Sequence, residues 1–302
     1  MPRHRLLRRA PRRAGRRIAA GVLALTLGAA LSPMGGPSAI AGKANRAAVF
    51  RGLGAWVDIF DDQGWADPEG TVLALRQQGV KTLYLQTCNY RCKEDIHRPT
   101  TLSRWIDAAH ANGMKVVAWY LPGFEDMALD ERRSRAALDF QSATGQQFDG
   151  FGLDIEARLV SPVKKRNRRV LELSRRIRAA AGNDFPLSAI TIPWFYEWGG
   201  PFPYEGLDNI YDVFQPMIYF SYRSRGAKGA RFNTARNIQD IREGTGSQKT
   251  LVHPIGGIAD KLNAREVGAF VLASERRHAV GVSLYDHFTS GPEDYEKLRK
   301  FG

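Results

Sequence analysis

The stretch FDGFGLDIEAR, Phe148–Arg158, sets Asp149, Asp154 and Glu156 in an apolar run punctuated by Gly150 and Gly152. A short apolar run of this kind reads as a buried strand of a parallel sheet, where an unpaired carboxylate is costly. Side chains alternate along a strand, so Gly152, Asp154 and Glu156 share one face, with the two acids about 6–7 Å apart along it. Two carboxylates held so close raise the pKa of one of them, which suits a general acid working near neutral pH. The expected place for such a pair is the C-terminal end of a strand that opens into a site. Asp149 stands at the other end and is expected to order the strand's start.

Seven more β-rich runs flank this one. They are GAWVDIF (54–60), KTLYLQT (81–87), KVVAWYL (115–121), LSAITIP (187–193), VFQPMIYFS (213–221), TLVHPIG (250–256) and GVSLYDH (281–287). Amphipathic segments such as PEGTVLALRQQG and AREVGAFVLASERRH lie between them, several ending in Gly as helix C-termini do. The alternation predicts an α/β chain folded as a single (β/α)8 TIM barrel over residues 42–302. A doubly wound open sheet would carry a Gly-rich phosphate turn after its first strand, and none is present. The strand ends then bring together Asp58, Gln86, Trp119, Asp154, Glu156, Trp194, Tyr219, Tyr285 and Asp286. Carboxylates ringed by Trp and Tyr are the chemistry of a sugar site, with aromatic faces against pyranose rings and acids at the glycosidic oxygen.

Residues 1–41 read as a leader rather than as fold. Eight arginines and no acid fill residues 1–17, followed by IAAGVLALTLGAAL and an Ala39-Ile40-Ala41 site, a signal peptide cut before Gly42. Its apolar core is shorter than the roughly 20 residues of a membrane span. The protein is therefore expected to be secreted by the Sec or the twin-arginine route, with no membrane attachment after cleavage. The whole chain carries +13, but eight of those charges leave with residues 1–17, so +5 remains. A mildly basic domain does not point to nucleic acid. The densest basic run, KKRNRRVLELSRRIR (164–178), has apolar spacing at Val170, Leu171 and Ile177 that suits a helix with a solvated basic face. Attraction to an acidic wall polymer is the sharper reading of that face. Cys88 and Cys92 are expected to form a local disulfide in an exported chain, because too few other ligands are near for a metal site.

The fourth-strand stretch DGFGLDIE resembles the signature of the family 18 chitinases, D-G-x-D-x-D-x-E. Asp149, Gly150, Asp154 and Glu156 match in register, and Gly152 stands where the middle Asp belongs. The Met217-Ile218-Tyr219 segment is similar to the family's sixth-strand Met-x-Tyr, and Tyr285 takes the place of its eighth-strand Trp. The resemblance implies that Glu156 protonates the leaving oxygen while Asp154 orients the 2-acetamido group of the substrate. That group's carbonyl oxygen then attacks the anomeric carbon, an exception to the two-carboxylate scheme. Tyr219, with Met217, Tyr285, Trp119, Trp194, Asp58 and Asp286, is expected to line the substrate site. A poly- or oligosaccharide, including a cell-wall glycan, is the expected partner of a monomeric enzyme without metal or cofactor.

Three alternatives stand beside this reading. Glu156 could act with Asp58 or Asp286 in a two-carboxylate glycosidase. A non-catalytic glycan-binding barrel is suggested by Gly152. A metal-dependent hydrolase would use His253 and His287, although those histidines are isolated in sequence.

Overall fold

A computed structural model describes residues 37–192, 198–223 and 225–302. Eight strands run in order: β1 (Gly52–Val57), β2 (Thr82–Asn89), β3 (Lys115–Leu121), β4 (Gly150–Ile155), β5 (Leu187–Thr191), β6 (Val213–Pro216), β7 (Ile255–Gly257) and β8 (Gly281–Tyr285). All pair in parallel in the order β6-β5-β4-β3-β2-β1-β8-β7. Two single bridges, Phe214 to Val252 and Met217 to Ile255, join β6 to β7 and bring the ring to near closure. This is the expected (β/α)8 barrel.

The described helices are α1 (Pro37–Arg46), α2 (Asp62–Ala66), α3 (Pro68–Gln77), α4 (Pro99–Ala111), α5 (Met127–Leu138), α6 (Val163–Ala181), α7 (Tyr204–Asp208), α8 (Gly226–Thr245), α9 (Ala264–Arg276) and α10 (Pro292–Leu298). Most begin just after a strand, at the mouth of the barrel. Asp61, Asp67 and Asp126 cap α2, α3 and α5 by accepting backbone N–H groups of the first turn. Asn263 and Glu266 form a capping box on α9. Each cap satisfies donors that a helix start otherwise leaves open.

Two strands depart from the sequence expectation. The run 213–221 is strand only as far as Pro216, and of 250–256 only Ile255 and Gly256 belong to β7. Pro216 and Pro254 have no N–H to give a ladder, so extended pairing stops or starts beside them. Past Pro216 the backbone curls until Tyr219 has φ 36° and ψ 53°, in the left-handed region. That turn aims the Tyr219 ring at the mouth instead of along the strand.

The interior below the mouth is aromatic. Trp56 stacks on Tyr84 with ring centroids 4.2 Å apart, and Trp119 meets Trp56 edge-on at 5.9 Å. Glycine makes room for them: a Cβ on Gly54 would come within 2.5 Å of the Tyr84 ring. His253 belongs to this core. Its Nδ1 donates to the Phe50 carbonyl at 2.7 Å, and its Nε2 accepts from Ser283 Oγ at 3.0 Å. Ser283 Oγ in turn accepts from Trp56 Nε1 at 2.8 Å. The network assigns a neutral imidazole with its proton on Nδ1. Burial accordingly pushes the His253 pKa down to about 4, against the opposing pull of the Phe50 carbonyl.

At the barrel's N-terminal end Asp149 behaves as its position suggests. Its carboxylate accepts from the Val116 N–H and Lys115 Nζ, both at 2.8 Å, and pairs with His110 Nε2 at 2.9 Å. The basic run forms α6 and buries Val170, Leu173 and Ile177. One of its arginines is core: Arg166 lies 4.2 Å above the Trp198 ring and donates to the carbonyls of Val160 and Trp198. Arg178 pairs with buried Asp212 at 3.1 Å. Part of the expected solvated face is therefore spent on holding loops.

Candidate active site

A cavity of about 240 Å³ opens at the C-terminal ends of the strands. Of the expected site residues, Asp154, Glu156, Trp119, Met217, Tyr219 and Tyr285 line it. Among the described residues, Asp154 and Glu156 are the only carboxylates in its lining. Asp154 is the last inward residue of β4, and Glu156 follows directly after the strand. Asp154 is 4% exposed, and its Oδ1 has no hydrogen-bond partner among the described residues. Its neighbour in register on β5 is Ile190, an apolar wall of the same cavity. Burial first, and the Glu156 carboxylate second, hold the Asp154 carboxyl well above the usual carboxylate range. Glu156 is half-buried at the rim, nearer to water. The pair thus consists of one deep acid whose neutral form burial favours and one shallower acid beside it, close enough for the two to share a proton.

Tyr219 faces this pair. Its hydroxyl is held well above the ordinary phenol range by burial, then by the negative charges of Asp154, Glu156, Asp286 and Asp58. It is a neutral hydrogen-bond donor at any physiological pH. Its ring centroid lies 5.8 Å from that of Tyr285. A non-glycine residue in the left-handed region is strained, and such strain gathers at functional sites.

Asp58 and Asp286, expected as substrate ligands, do not line the cavity. Asp58 Oδ2 accepts the Tyr285 hydroxyl at 2.6 Å, and Oδ1 accepts the Phe60 N–H at 2.7 Å. Asp286 Oδ1 accepts the Thr289 hydroxyl at 2.7 Å and the Thr289 N–H at 3.0 Å. Both acids sit behind Tyr285, with Asp58 fixing the ring and Asp286 folding the loop after β8. Trp119 is nearly buried against Trp56 and forms wall rather than an open platform. Trp194 lies outside the described residues. His253 and His287 do not converge on a ligand set: among the described residues no cluster of three or more His, Cys, Asp or Glu could hold a metal ion.

Gly152 has a structural reason to be glycine. A Cβ there would meet Ile190 Cδ1 at 2.9 Å and Ser188 Oγ at 3.0 Å. The slot in which the chitinase signature carries its middle Asp is filled here from β5. The sequence reading also passed over Trp56, Asn89, Ile190 and Ile255, which line the cavity. Trp56 lies two residues before Asp58, so the period of two along β1 was the available signal.

Asn89, the last residue of β2, enters the wall where the loop after that strand begins. Cys88 and Cys92 form the expected disulfide, with Cα atoms 6.0 Å apart. Buried Arg133 donates to the carbonyls of Asn89 (2.9 Å) and Cys92. The bridge closes a very short loop, so its entropic contribution to stability is only about 2 kcal/mol. Its position matters more. Replacing both cysteines by Ser is expected to raise KM several-fold through loss of the Asn89 wall, with a modest fall in the unfolding midpoint. Steady-state kinetics alongside denaturant melts will separate the two effects.

No family model matches the sequence, and no curated protein matches it. Solved structures do match in fold. The endo-β-1,4-mannanase of Thermotoga petrophila superposes with a TM-score of 0.63 at 13% identity, covering 83% of this chain and 76% of that one. The spore cortex-lytic enzyme of Bacillus cereus gives 0.60 at 10% identity, covering 83% and 74%. A chitinase of Bacteroides thetaiotaomicron gives 0.60 at 9% identity, covering 82% and 93%. At such identities the likeness is one of fold, and the barrel of this chain is the kind that these glycoside hydrolases share.

Proposed function

We propose that the protein is an exported glycoside hydrolase that cleaves an N-acetylglucosamine-containing glycan. The observation that carries the reading is that Asp154 and Glu156, side by side on one strand, are the only described carboxylates lining the cavity. Glu156, at the rim, takes over the proton that the carboxyl pair holds and gives it to the leaving glycosidic oxygen. The substrate's acetamido carbonyl oxygen bonds to the anomeric carbon as the glycosidic bond breaks, and water later opens that ring, giving a proton back to Glu156. Asp154 orients the acetamido N–H from below, and the neutral Tyr219 hydroxyl donates to the acetamido oxygen. The two-carboxylate alternative finds less support, because both oxygens of Asp58 are engaged and Asp286 is tied to Thr289.

The proposed cleavage before Gly42 would leave Lys43 and Arg46 in place. These pair at 2.8 Å with Asp208 and Asp212, so the rest of α1 stays anchored to the barrel.

The test is a paired substrate panel: N-acetylated chito-oligosaccharides and peptidoglycan fragments against their de-N-acetylated counterparts and mannan. Turnover confined to the N-acetylated members, with retained anomeric configuration, is the expected result. Equal turnover of the de-N-acetylated chains would sink the acetamido mechanism. A second reading, a glycan-binding barrel without catalysis, is favoured by the Ile190 side chain in the slot of the missing acid. Binding by calorimetry with no turnover of any member would establish it.

A further inference from the structure

Charge is unevenly spread around the mouth. Many exposed basic side chains elsewhere are spent on ion pairs, as Arg104 is with Glu69, Arg132 with Asp95, and Arg176 with Glu131. At the start of α6, by contrast, Lys164, Lys165 and Arg168 are exposed and make no ion pair among the described residues. The same is true of Arg225 and Lys228 at the start of α8. Both helices, like α1 and α4, lack an acid in their first turn, whereas α2, α3, α5, α7, α9 and α10 each carry at least one. A cation in the first turn opposes the helix dipole and weakens the helix. Folding therefore gives no account of the four that stand in or beside a first turn, Lys164, Lys165, Arg225 and Lys228.

Their location does. In a barrel, the helix after each strand starts at the face that carries the site. The helix α6 follows β4, which holds Asp154, and α8 follows β6 and the Tyr219 turn. The far side of the mouth, after β8, carries half-buried Asp286 and exposed Glu293 instead. A mouth that is basic on one side and acidic on the other steers and aligns a charged chain.

Resting on the hydrolase reading above, we infer that the natural substrate is an anionic glycan whose carboxylate or phosphate groups are received by Lys164, Lys165, Arg168, Arg225 and Lys228 while the scissile sugar occupies the cavity. The cations lie outside the cavity lining, so they select and place the chain without touching the reacting atoms.

The experiment uses the mature chain and two charge-reversal variants, Lys164→Glu/Lys165→Glu and Arg225→Glu/Lys228→Glu. These exposed positions leave the cavity intact. Each protein is assayed over a salt series on three substrates: a neutral N-acetylglucosamine oligomer, peptidoglycan fragments bearing carboxylates, and a glycan bearing phosphodiesters. The wild type is expected to prefer one anionic substrate at low salt, the preferred arm identifying the anion. Each variant should lose about tenfold in kcat/KM on that substrate, through KM, with kcat and neutral-substrate kinetics unchanged. Equal loss on neutral and anionic chains, or a wild-type preference insensitive to salt, would overturn the inference. Should the wild type turn over none of the three, the hydrolase reading fails by itself. Calorimetric binding of the anionic chains then decides: salt-dependent binding weakened in the variants upholds the basic site, and unchanged binding removes it.

Discussion

Replacing Glu156 by Gln is expected to lower kcat by about 10²–10⁴-fold while KM shifts only a few-fold and the fold stays intact. Glutamine keeps the size and hydrogen-bonding outline of the acid but has no proton to give to the leaving oxygen. Glu156 sits half-buried just past the end of β4, so the exchange disturbs no core packing. The effect should therefore appear in the chemical step and not in the unfolding midpoint. Single-turnover kinetics on an N-acetylated oligomer, with a circular dichroism melt as the folding control, makes the measurement. Hydrolysis at the wild-type rate would remove Glu156 from the mechanism, and with it the proposed role of the fourth strand. A fall in both activity and melting midpoint would instead point to a structural role.

That Glu156 could be singled out from sequence follows from the simplest periodicity a chain has. Alternation along a strand puts Asp154 and Glu156 on one face whatever surrounds them, and the β/α rhythm places that strand fourth in a barrel. Two kinds of information were out of reach. The first is pairing across the ring. Ile190 fills the slot beside Gly152 only because β5 sets Ser188 opposite Gly152 and Ile190 opposite Asp154. Asp58 is occupied because Tyr285, 227 residues away, donates to it across the β1–β8 junction. The second is the fate of apolar residues in apolar runs. Trp56 reads as ordinary core, and nothing local tells whether such a ring lies under a cavity or behind a helix. Proline, at least, was a readable limit: strands six and seven stop or start at Pro216 and Pro254, where the ladder loses its donor.

Asp154→Asn is expected to abolish most activity and, at the same time, to make the protein more stable at neutral pH by about 1–2 kcal/mol. The reasoning starts from burial. Asp154 is 4% exposed, with Oδ1 unpartnered among the described residues and Ile190 beside it. Desolvation and the adjacent Glu156 raise its pKa well above that of an unfolded-chain aspartate. The folded state then holds this proton where the unfolded state has released it. Linkage fixes the sign: the stability associated with this group is complete below the unfolded pKa, near 4, and is lost as pH rises through the folded value. Asparagine carries no such titration. The stability gap between variant and wild type should accordingly be small at about pH 4 and widen toward about pH 8. Denaturant melts of both proteins across that range test it. A variant that is less stable than wild type, or a gap that does not change with pH, would mean that Asp154 is solvated or paired in the folded chain. A buried acid that costs stability at working pH is not kept for the fold. Its retention next to Glu156 is best accounted for by a ligand whose N–H replaces the water that Asp154 gave up on folding, which is the role that the acetamido mechanism assigns to it.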